Sequence, residues 1–176
     1  MRRRVMTAVL LSILWVGCKA QTYSLEQVND SLSFLTLTTD GHTDRYRLPW
    51  PTLRWCTGDV DGDGVEDAMV MVVKRTRFDK RVLPRLFTFT QKNGRVRPLW
   101  LGSQLGGILE DFRFVDGQVI TLQRTTDYRY VVMTHRWRKF GLGANSILVE
   151  GVDREIAETY LNLPQPSQRE SAQIER

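Results

Sequence analysis

The apolar and polar positions of this chain follow a two-residue period over most of its length, the pattern of half-buried strands. In residues 31–38, Leu32, Phe34, Thr36 and Thr38 alternate with Ser33, Leu35 and Leu37, and a turn at Asp40-Gly41 returns the chain along 45–48 as a hairpin. After the rigid Leu48-Pro49-Trp50-Pro51 segment comes a short strand at 53–56, then an acidic loop, then an apolar run at 68–73 that suits a central strand buried on both faces. Further strands are predicted at 86–90, 95–101, 109–115, 118–124, 128–137 and 146–149. Asn93-Gly94 and Asp116-Gly117 supply the positive φ of tight turns. Pro98 marks its strand as an edge or a bulge, because proline cannot donate to a ladder. One segment has helical spacing: after an Asp153 N-cap, Ile156, Ala157, Tyr160 and Leu161 share a face, and Pro164 ends the helix. Residues 164–176 are polar and are expected to form a disordered tail.

The first twenty residues have a different character. Arg2 to Arg4 precede an uncharged run at 5–16 and small residues around Gly17, the organisation of an export signal. The run has twelve residues, too short to span a bilayer comfortably. Val16-Gly17-Cys18 resembles the end of a bacterial lipoprotein box, which implies acylation of Cys18 and an N-terminal lipid anchor as the only membrane attachment. Cleavage after Ala20, leaving Gln21 first, is the competing route. Either route places the protein outside the cytoplasm, in the periplasm, anchored to a membrane or secreted. Once Cys18 is lipidated or removed, Cys56 is the only cysteine left and no internal disulfide can form. Cys56 is expected to be a small buried hydrophobe.

The remaining domain, residues 21–163, belongs to a chain of 176 residues with 41% hydrophobic and 26% charged content, a composition that supports a packed core. The length is too small for a closed seven-bladed propeller. Formal charge is +5, but without Arg2, Arg3 and Arg4 the balance is 22 basic against 20 acidic side chains. So small an excess gives no support to nucleic acid as the partner.

The stretch Asp59-Val60-Asp61-Gly62-Asp63-Gly64-Val65-Glu66-Asp67 carries the strongest chemical signal. Carboxylates at this spacing repel one another once the chain turns, unless a cation neutralises them. Calcium accepts six to eight oxygens in a flexible shell, so Asp59, Asp61 and Asp63 can each offer a carboxylate, Val65 its carbonyl and Asp67 a closing carboxylate. Magnesium demands a stricter octahedron, and zinc calls for His or Cys. An EF-hand is excluded on two counts: counting from Asp59, its twelfth position is Val70, and an apolar strand stands where a helix is needed. Closure at the ninth position before an apolar strand resembles the calcium loop of FG-GAP repeats, the VCBS-like blade units of integrin-α-type β-propellers and related bacterial exported proteins. The resemblance covers residues 55–74. It implies a structural Ca2+ held by Asp59, Asp61, Asp63, the Val65 carbonyl and Asp67, in a loop joining two strands of a blade. The expected architecture is mainly β: two or three blade-like antiparallel meander sheets, not closed into a ring, with one C-terminal helix covering an open edge.

Other features are weaker. The basic stretch Lys74, Arg75, Arg77, Lys80, Arg81 and Arg85 should lie about 20 Å from the metal, at the far end of the central strand, as a solvated loop able to grip an anionic partner. The aromatics at strand spacing are expected in the core, with a sugar-stacking platform as the alternative, and the 99–107 segment is a candidate exposed apolar loop. His135 should be a satisfied core or edge histidine, and Glu66 a charge that faces solvent or sits just behind the ligands. No nucleophile elbow, metalloprotease helix or phosphate-cradling glycine loop occurs. The chain therefore reads as a non-catalytic, exported, calcium-stabilised β module that binds an envelope protein or glycan. An accessory subunit completing another chain's sheet is the alternative, and a calcium-assisted hydrolase is a third.

Overall fold

The computed structural model describes residues 21–77, 79–102 and 105–163. The export signal with Cys18, the 164–176 tail, Phe78, Ser103 and Gln104 lie outside the described residues. The protein is mainly β, as its alternation demands, and among the described residues eleven strands form three small antiparallel sheets that do not close. The first sheet is β1 (Gln21–Asn29), β2 (Leu32–Thr39) and β3 (His42–Leu48). The second is β4 (Thr52–Gly58), β5 (Asp67–Lys74), β6 (Leu83–Lys92) and β7 (Arg95–Trp100). The third is β8 (Ile108–Val115), β9 (Gln118–Arg124), β10 (Tyr130–Arg138) and β11 (Gly141–Val152), followed by α1 (Arg154–Asn162). Each sheet is a meander in chain order. Tight turns hold three of the hairpins, with positive φ at both central residues of Asp40-Gly41, Asn93-Gly94 and Asp116-Gly117.

Face-to-face packing produces the core. The central strand β5 is buried on both sides, which explains its unbroken apolar run. Ala68, Val70 and Val72 pack with Leu35, Leu37, Phe87 and Phe89 between the first and second sheets. Met69 and Met71 pack with Val60, Leu86, Phe112 and Val119 between the second and third. The outer face of the third sheet, through Ile120, Leu122 and Val132, is covered by Ala157 and Leu161 of α1. The helix thus lies across a sheet face, not along the open edge expected from sequence, because Ile120 and Leu122 would otherwise meet water. Ile156, expected on the buried side, is 47% exposed. Asp153 stands at the N-cap without a side-chain cap bond, since Arg129 Nη1 donates to its Oδ1 at 2.7 Å.

Strand boundaries depart from the sequence pattern in two places. β1 was not predicted, since only Tyr23 is buried along it and its ladder to β2 rather than its own apolar content fixes it. β11 runs well beyond the expected 146–149, and three register irregularities against β10 accommodate it. Pro98 behaves as anticipated: β7 is an edge, and its register to β6 shifts between Thr88 and Phe89, opposite the proline.

His135 is 3% exposed, with Nε2 at 2.9 Å from the Thr121 hydroxyl, to which Gln123 Nε2 donates at 2.7 Å, but its buried Nδ1 has no hydrogen-bond partner, so the ring is only half satisfied, contrary to expectation. Burial holds the imidazole below its usual pKa. The unfolded chain therefore takes up a proton near its ordinary pKa of about 6.5 before the folded one does, so stability should fall as pH drops through that value. The loss of melting temperature between pH 7.5 and 5.5 is expected to be smaller in His135→Leu than in wild type, measured by calorimetry in 1 mM CaCl2. Parallel slopes would show that His135 carries no such linkage.

Candidate metal centre

The acidic loop connects β4 to β5, with strands on both sides and no helix. Val60 anchors it, its side chain 3% exposed in the core between the second and third sheets. The loop then doubles back through Gly62 and Gly64, at φ 81° and 83°, a left-handed conformation that glycine adopts without strain. Its backbone N–H groups turn inward onto the carboxylates. Asp59 Oδ1 accepts from Gly62 N at 2.7 Å and Asp63 N at 3.1 Å, while its Oδ2 accepts from Gly64 N at 2.9 Å. Asp61 Oδ1 accepts from Asp63 N at 3.2 Å, and Asp63 Oδ1 accepts from Val65 N at 2.8 Å. These bonds fix the loop and leave each carboxylate with unused lone pairs.

Asp59, Asp61 and Asp67 each bring one carboxylate oxygen to within 4.8 Å of the others, so the three could hold a metal ion. The exposed Asp63 does not belong to that close group, and its Oδ1 accepts from the Val65 amide. Glu66 is exposed, as expected of a charge beside the site, and its carbonyl accepts from Gln21 Nε2 at 2.6 Å, tying β1 to the loop.

Asp67 decides the chemistry. As the first residue of β5 it is fully buried, its Oδ2 accepts from Val60 N at 3.0 Å, and its Oδ1 has no regular hydrogen-bond partner. Burial pushes its carboxyl up to about 6, the Thr90 hydroxyl and the Val60 amide partly offset that rise, and Asp61 and Asp63 add to it. Asp61 is raised in the same direction, first by burial. The Tyr23 hydroxyl, also buried and without a partner, is pushed above its usual range by burial and by the charges of Asp67 and Glu66. Tyr23 therefore stays neutral, whereas the Asp67 carboxylate is the buried charge that its surroundings disfavour, a position in which a cation would be stabilising. Hard carboxylate oxygens with no His or Cys among them are a donor set for a hard cation rather than for a soft transition metal. Cys56 packs half-buried against the core between the second and third sheets, and burial raises its thiol to about 11, so it is inert.

The basic stretch is less uniform than its sequence suggested. Arg85 is only 5% exposed, and its Nη2 donates to Asp79 Oδ2 at 2.6 Å; Arg81 pairs with the same carboxylate at 2.9 Å. Asp79, whose carboxyl these arginines hold well below the usual range, therefore turns Arg85 from a predicted solvated cation into a structural one, while Arg81 pairs with it and stays exposed. In the 99–107 segment, Leu99 and Leu105 pack against the core and Leu101 is exposed. Comparison with known protein families, with characterised proteins and with solved structures finds no match to this chain.

Proposed function

We propose that the chain is an exported β module, stabilised by Ca2+ in the β4–β5 loop, which binds an envelope or extracellular partner and carries out no catalysis. Asp59, Asp61 and Asp67 supply the closest oxygens, and Asp63 and the Val65 carbonyl complete the shell, as in the FG-GAP loop the sequence resembles. The metal would act as a cross-link between two strands and the core contact made by Val60. The observation that carries this reading is the buried Asp67 carboxylate, which has one oxygen without a regular hydrogen-bond partner and comes within 4.8 Å of the carboxylate oxygens of Asp59 and Asp61. Export rests on the basic, apolar and small-residue order of the first twenty residues, with Cys18 as the site of lipid attachment.

Calorimetric titration of EGTA-stripped protein tests the metal. One Ca2+ per chain is expected, with Mg2+ at least about tenfold weaker, because the smaller ion tolerates a flexible oxygen shell poorly. Asp61→Asn should weaken calcium by about tenfold or more. An absent calcium isotherm, or one that Asp61→Asn leaves unchanged, defeats the assignment.

A further inference from the structure

At the other end of β5, roughly 23 Å from Asp67 at strand rise, the basic loop and the aromatic residues meet in one cavity. Its volume is about 450 Å³, and Trp50, Phe87 and Trp100 wall it while Lys74, Arg75 and Arg77 bring positive charge to its mouth. A second hollow of about 420 Å³ shares Trp50, Lys74 and Arg75 with it and extends it toward Val82. No aspartate or glutamate lines either among the described residues. Lys74 Nζ sits 3.5 Å from the Trp50 ring centroid and 5.4 Å from that of Phe87, so the ammonium is held over aromatic faces instead of against a carboxylate. Burial lowers the pKa of that ammonium. Trp100 is fixed in turn: a Cβ on Gly141 of β11 would lie 2.5 Å from its Nε1.

We propose that this cavity binds an anionic saccharide, with a pyranose face against the part of the aromatic wall that Lys74 leaves uncovered and a carboxylate or sulfate on Lys74 and Arg75. Rigid aromatic walls match the apolar C–H face of a sugar ring, and the charge at the mouth matches its acidic substituent. The volume falls in the range of preformed small-ligand sites. The cations gather at one mouth instead of tracking a groove, which argues against a single-stranded nucleic acid. The proposal names the partner class of the module described above and rests on that reading for its export, not for its metal.

The test uses the mature protein in 1 mM CaCl2 and follows tryptophan fluorescence and calorimetry. The probes are trigalacturonate, a trimer of alginate, a heparin-derived tetrasaccharide, neutral maltotriose, pentathymidylate and phosphatidylglycerol vesicles. At least one acidic saccharide should bind and maltotriose should not. Arg75→Glu and Trp50→Leu should each weaken binding by about tenfold or more, while Arg95→Glu, at the opposite end of the sheet, should leave it unchanged. The calcium isotherm run on the same samples separates the two ideas: loss of saccharide binding with calcium binding intact locates the defect in the cavity. The proposal is overturned if no acidic saccharide binds, if maltotriose binds as well, if pentathymidylate or vesicles bind instead, or if Arg75→Glu binds like wild type.

Discussion

Adding calcium to EGTA-treated protein should raise its melting temperature by roughly 5–10 °C, the shift for about 2.7 kcal/mol of linkage at a hundredfold excess over Kd at this domain size. Asp67→Asn makes the sharper statement, because its two effects have opposite signs. In EGTA the variant should melt above wild type: the amide keeps an oxygen for the Val60 N–H and removes a buried charge whose Oδ1 lacks a regular partner, a gain of about 1–2 kcal/mol that stays below the calcium linkage. In calcium it should melt below wild type, since it no longer responds to the ion. A variant that melts lower than wild type in both buffers, or that still gains several degrees from calcium, would show that Asp67 is an ordinary structural carboxylate.

Phe112→Ala should be the most damaging single change outside the loop. Phe112 is fully buried between the second and third sheets, among Met69, Met71, Leu86 and Val119. Truncating such a phenylalanine costs about 3–5 kcal/mol, roughly 10 °C or more of melting temperature in a domain of this size. The thermogram should keep a single transition, because β5 contributes alternate residues to the cores on both of its faces. Two separated transitions, with the first sheet and its core melting as in wild type, would mean that the sheets fold independently.

The legible parts of this protein were those governed by local chemistry. Three hairpins were written in Asx-Gly pairs, the edge role of β7 in Pro98, and the double burial of β5 in an apolar run without alternation. The acidic loop was legible for the same reason, since repeated aspartates and glycines dictate a turn of carboxylates whatever surrounds them. What the sequence concealed depends on partners distant in the chain. β1 is a strand because β2 offers it a ladder, and β11 is long because β10 is. Asp153 looks like a cap until Arg129 claims its carboxylate, and Arg85 looks solvated until Asp79 folds over it. The meeting of Trp50, Trp100 and the β5–β6 arginines needed the packing of the first sheet on the second before it could be seen at all.

The double duty of β5 also sets how the chain can be cut. Stripping away the 21–48 segment would bare Ala68, Val70 and Val72 together with Phe87 and Phe89, a contiguous oily surface. A truncated product of that kind should self-associate rather than persist as a smaller monomer, so the first three strands serve as the solubilising cover of the strand that also carries the acidic turn.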